Sequence, residues 1–319
     1  MTIKVFITKN YNHMSNVAAN IVQEEIIKVL KNKKEFVLGL ATGNSPTGLY
    51  KNLAKMMNNG EIDSSKIRSF NLDEYVGLPG ENAQQRTIHP ESYCYFMIQE
   101  LFGLLNKKFI ETSVPFGCLI DQEKFIKELE AHPDDWSELG VDAGKSIVIK
   151  DKAASEYLRW IRKTVQEDYI QKIKNAGGID LQVIGVGGRG HVGFHESGIP
   201  FEGSKVMIVK LDENTITNAV TDGHFPSKEE SPWYAISMGA ELVYKAEIVL
   251  LLGNGERKMD PITKSLLNDP TPEVPISYGQ IDSEKGGNLI YVIDKIAGKK
   301  LLANKMLLKG KGIEILNLK

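Results

Sequence analysis

Short, mostly apolar runs alternate along the chain with longer stretches in which apolar residues recur every three or four positions. The short runs predict buried strands: Val5–Ile7, Phe36–Leu40, Ile67–Leu72, Asp180–Val186, Lys205–Val209, Glu247–Leu252 and Asn288–Ile293. The longer stretches predict helices over Asn16–Leu30, from Pro46 onward, and over Pro90–Leu105, Ala153–Ile173, Trp233–Lys245 and Arg257–Leu267. Strands separated by helices imply parallel βαβ units, hence an α/β fold with a doubly wound, mostly parallel, Rossmann-like sheet. Two stretches break the alternation. Residues 80–89 are polar and read as a loop, and 106–178 read as an extra helical elaboration. The expectation is one α/β domain over 1–319 carrying these two insertions.

Composition narrows the class. Of 319 residues, 42% are hydrophobic and 25% charged, as in ordinary soluble globular proteins. A net charge of −2 leaves no basic footprint for nucleic acid. No apolar run approaches the ~20 residues that span a bilayer, and the N-terminus lacks the apolar core of a signal peptide. Cys94 and Cys118, the only cysteines, have no metal-ligand spacing and read as reduced core residues. A cytoplasmic location follows, with neither membrane nor nucleic acid as partner.

In doubly wound sheets ligands bind beyond the carboxyl ends of the strands, and the unusual residues fall there. After Leu40, the turn Thr42-Gly43-Asn44-Ser45 leads into a helix, a ready anion site or an ordinary capped turn. After Phe70 come Asp73 and Glu74; a desolvated carboxylate at a strand end can serve as a base, or can simply be structural. After Val186, glycines crowd around His191, His195 and Glu196, an acid/base cluster suited to moving protons on a sugar ring oxygen. Both histidines could instead be structural. His-x3-His could hold a metal only on a helix, against which the glycines argue, so no metal is expected. After Leu252, Gly253-Asn254-Gly255 precedes Lys258, a cation at a helix start.

Together, FNLDEYVGLP (70–79) with HPESYCYFM (89–97), GVGGRGHVGFHE (185–196) and LATGNSPTGLYKNL (40–53) resemble the glucosamine-6-phosphate deaminase/isomerase family. The resemblance runs from about Phe36 to Ile293. It implies an amino-sugar-phosphate isomerase/deaminase that forms a ketose phosphate and ammonia, a small-molecule sugar phosphate as ligand, and a homo-oligomer. It implies Asp73 as the base between C2 and C1, His191 as the ring-opening residue and Glu196 as its support. Thr42, Gly43, Asn44, Ser45 and Lys258 would hold the phosphate. Proton transfer and hydration need no external cofactor. Three departures stand out. Arg189 occupies a position where the family has an acid, His195 one where it has Asn, and no Arg lies between Arg189 and Arg257 to clamp the phosphate. Arg189 is therefore a candidate phosphate cation; alternatively the sugar differs. A related isomerase or lactonase on the same scaffold, or a non-catalytic sugar-phosphate sensor, are the other readings.

Overall fold

The computed structural model describes residues 2–318. Its strands are β1 (Thr2–Thr8), β2 (Phe36–Leu40), β3 (Ile67–Asn71), β4 (Asp73–Val76), β5 (Glu111–Ser113), β6 (Trp136–Leu139) and β7 (Lys145–Ile149), then β8 (Leu181–Ile184), β9 (Val206–Lys210), β10 (Tyr234–Met238), β11 (Ile248–Gly253), β12 (Asn288–Asp294) and β13 (Ile313–Asn317). Eight of them form a sheet in the order β13-β1-β12-β11-β8-β2-β3-β5, parallel at every pairing. The α/β, doubly wound expectation holds.

Both faces of the central strands are buried, which is why β2 and β11 read as apolar runs. Phe36, Leu38 and Leu40 pack with Leu49 and Leu53 of the helix Asn44–Asn58 and with Met14 and Val22 of the helix Tyr11–Val29. On the other face Val37, Leu251 and Ile293 share a core with Tyr169 and Ile262.

The strand order reverses between β2 and β8. From β2 the chain winds outward to β3 and β5, and from β8 it winds the opposite way to β11 and β12. The two exits diverge there and leave a crevice.

A second sheet, β4-β10-β9-β7-β6, is antiparallel throughout. Leu72 joins the two sheets: its N–H donates to Leu40 O at 2.9 Å, and its carbonyl accepts from Met238 N–H at 2.7 Å. Asp73 therefore stands at the point where the chain leaves one sheet and enters the other.

The helix expected over Trp233–Lys245 is corrected. Tyr234–Met238 is a strand between β4 and β9, and only Ala240–Val243 is helical. All five strand residues are buried because core lies on both sides, so the segment carries no two-residue alternation. The 106–178 stretch is richer in strand than expected. It supplies the edge strand β5 and the hairpin β6–β7, besides a helical run from Glu156 to Asn175 that widens into π-type turns over Ile161–Glu167. The polar loop at 80–89 includes a short helix, Ala83–Thr87, capped by Asn82. Among the described residues no helix is long and apolar enough to cross a membrane.

Candidate active site

A cavity of about 720 Å³ opens at the switch point and takes lining from four strand exits, those of β2, β3, β8 and β11.

At the β2 exit, Gly43 has φ +108°, a left-handed value that favours glycine, and caps the helix Asn44–Asn58. The first N–H groups of a helix have no partner within it, and its dipole makes that end positive. Tyr11 fixes the turn: its hydroxyl donates to Asn44 O at 3.0 Å and accepts from Gly48 N–H at 2.8 Å. The Ser45 hydroxyl donates to Asn254 Oδ1 at 3.2 Å, tying the β2 exit to that of β11.

Asp73, only 4% exposed, faces this cavity and accepts from the Thr42 hydroxyl at 3.3 Å. Burial pushes its carboxyl up to about 8; the Thr42 hydrogen bond opposes the shift and the neighbouring Glu74 charge adds to it. Glu74 has a different role. It accepts from the N–H groups of Tyr75, Tyr93 and Cys94 and from the Ser92 hydroxyl, at the N-terminus of the helix Tyr93–Glu100. Gly193, at φ +55°, allows the close approach of the β8 exit: a Cβ there would lie 2.7 Å from Ser237 Oγ and 3.1 Å from Asp73 Oδ2.

His191 lines the cavity, and its Nδ1 lies 3.4 Å from Glu196 Oε2. Its ring rests on the backbone of Gly187, where a Cβ would fall 1.8 Å from Nε2. Glu196 is 3% exposed. Burial alone would raise its carboxyl, but the hydrogen bond and charge of His191, with help from Thr215 and Asp212 N–H, hold it below the usual range. His195 is structural. Its Nδ1 accepts from Ala240 N–H at 3.0 Å, so Nε2 donates to Ile199 O, also at 3.0 Å. Burial depresses its imidazole to about 4. With both nitrogens engaged, His195 is no partner for His191 in a metal site.

At the β11 exit, Gly255 (φ +82°) donates its N–H to Asp294, fixing the turn that presents Lys258 to the cavity. Burial lowers the Lys258 ammonium, as does the charge of Arg257, while Asp222 opposes them.

Arg189 does not join this group. Its guanidinium is held by Asp142 and, at 3.3 Å, by Asp212, and it lines a neighbouring cavity of about 790 Å³ beyond the Gly187–Gly190 turn. Two carboxylates hold it beside that second cavity, so the geometry lends no support to the expected contact with phosphate. The structure thus brings together Thr42, Gly43, Asn44, Ser45, Asp73, His191 and Lys258, with Glu196 buried behind His191. Sequence reasoning missed Arg257, which lines the cavity beside Lys258 and pairs with Asp222 at 3.3 Å. It also missed Tyr93 and Asn218. The adjacent Arg-Lys pair was a readable signal for the first; nothing local marked the others.

No protein-family model matches the chain. It is 35% identical over 299 residues to a glucosamine-6-phosphate deaminase of Clostridium novyi (strain NT), covering 94% of this chain and 100% of that relative. A glucosamine-6-phosphate deaminase of Clostridium acetobutylicum is 34% identical with the same coverage. The chain belongs to the glucosamine-6-phosphate deaminase family. Among solved structures, a monomeric glucosamine-6-phosphate deaminase superposes with a TM-score of 0.69 at 25% identity, covering 94% of this chain and 99% of that one. A 6-phosphogluconolactonase of Thermotoga maritima shares the fold, with a TM-score of 0.60 at 15% identity over 92% of this chain and 100% of that one.

For a deaminase-family member the departures at Arg189 and His195 now have structural accounts. Glu196 supplies the carboxylate for His191 without any acid at position 189. His195 replaces an amide with an imidazole that satisfies two backbone groups.

Proposed function

We propose that the protein converts glucosamine 6-phosphate and water to a ketose 6-phosphate and ammonia. One observation carries this reading: a buried carboxyl with a raised affinity for protons, Asp73, opens into the same cavity as a carboxylate-backed histidine and a free helix N-terminus. The phosphate would sit at Gly43–Ser45, with Lys258 closing on it from the β11 exit while Arg257 stays paired with Asp222 at the rim. His191, backed by Glu196, would transfer the proton that opens the sugar ring. Asp73 would then take the proton from C2 and return it to C1, leaving an imine at C2. Water adds to that imine and ammonia leaves. Retention of an acid suited to carbon deprotonation favours this reaction over lactone hydrolysis, for which only the shared fold speaks. Residence in the cytoplasm and assembly as a homo-oligomer belong to the same proposal.

Ammonia release from a panel of amino-sugar 6-phosphates tests it. The expected result is ammonia equimolar with ketose phosphate from glucosamine 6-phosphate. The Asp73→Asn variant should lose about 10²–10⁴-fold in rate, as removal of a general base does. Sugar-phosphate binding with no ammonia from any member of the panel would contradict it.

A further inference from the structure

Arg189 is the centre of a buried-to-surface chain of contacts that ends on His191. One arm of its guanidinium pairs with Asp142, on the loop between β6 and β7. The other pairs with Asp212 at 3.3 Å, and the Asp212 N–H donates to Glu196 Oε1 at 3.4 Å. The second oxygen of Glu196 faces His191 Nδ1. The β6–β7 loop also touches the couple sterically. Gly144 lies so close that a Cβ would fall 2.5 Å from Glu196 Cβ and 2.8 Å from its Cγ. Val141 N–H donates to Gly198 O at 3.1 Å, two residues beyond Glu196. Gly198, at φ +83°, packs closely on the loop: a Cβ there would lie 3.0 Å from Val141 Cγ2 and 3.1 Å from Asp142 Cβ.

We propose that Arg189 and the β6–β7 loop are a positioning device for the His191–Glu196 couple, with Asp142-Arg189-Asp212 as the latch that seats the loop on Glu196. The inference rests on the proposed function, since it assigns Arg189 to the ring-opening step. A guanidinium suits the task because its planar fork binds two carboxylates at fixed angles, which a carboxylate at this position could not do. The device also explains why residues of the antiparallel sheet reach a site built mainly on parallel strands.

Two variants load the couple differently. Arg189→Met removes the latch charge. Gly144→Ala adds one methyl whose three nearest neighbours are all atoms of the Glu196 side chain, at a backbone without positive φ. Loss of a partner that orients a catalytic histidine costs on the order of tenfold or more. Both variants should therefore lower kcat about tenfold while KM stays within about twofold, and both should move the His191 ring resonances in spectra of histidine-labelled protein. Should Arg189→Met not fold, Gly144→Ala and Asp142→Asn make the same test. A raised KM at unchanged kcat would overturn the proposal in favour of substrate contact by Arg189, as would His191 resonances identical to wild type. The resonances need no turnover. If they move in a wild-type background that releases no ammonia, the proposed function fails while the coupling stands.

Discussion

Asp73 and Glu74 are neighbours with the same chemistry and opposite surroundings. The sequence placed both at a strand end and could not choose between them. The choice comes from β4: adjacent strand residues point to opposite faces, so one carboxyl meets the cavity and the other the helix N-terminus at Tyr93. A strand of four residues leaves too little pattern to be read in advance. Asp73 should also leave a thermodynamic mark. Its folded carboxyl holds a proton up to about 8, against 3.8 ordinarily, so unfolding releases that proton between those values. Stability from this group is then full below about pH 4 and falls as pH rises to about 8. Asp73→Asn removes the dependence. The melting temperature of the variant should exceed that of the wild type by a margin that widens from pH 4 to pH 8 and then levels, as measured by thermal unfolding across pH. A constant margin would indicate a carboxyl with ordinary affinity. Arg189 shows the converse limit of the sequence: its partners Asp142 and Asp212 are remote in the chain, so its charge was visible and its orientation was not.

At the scale of elements, the strand exits were legible because they break the local rules. Gly43, Gly193 and Gly255 hold left-handed φ values at three of the four exits, and such residues stand out against apolar strands. The β11 exit carries two cations with different weight. Lys258 is half-buried, whereas the Arg257 side chain is 68% exposed and already paired with Asp222. A charge-assisted hydrogen bond contributes about 1.5–3 kcal/mol when shielded from water, and exposed pairs contribute about 0–1 kcal/mol. Lys258→Met should therefore raise KM about tenfold or more, and Arg257→Met only a few-fold, in steady-state kinetics with the phosphorylated sugar. Equal effects would mean that Arg257 leaves Asp222 and closes on the phosphate. The segment Trp233–Lys245 differs from the expected helix because a strand buried on both faces has no alternation to distinguish it from one.

For the whole molecule, the parallel sheet was readable from alternating strands and helices, since each βα unit is contiguous. The antiparallel sheet was not. Its five strands come from separated regions, 73–76, 136–149, 206–210 and 234–238, and only their pairing makes them one layer. That layer matters to the site: it begins at Asp73, and through the β6–β7 loop it reaches Glu196. The proposed reaction turns on the Asp73 carboxylate taking a proton from C2. Proton NMR of glucosamine 6-phosphate follows this directly. With wild-type protein the C2–H signal should disappear at the rate of ammonia release, and with Asp73→Asn it should persist over the same hours. Loss of the C2–H signal at the wild-type rate in that variant would mean that a group other than Asp73 takes the proton.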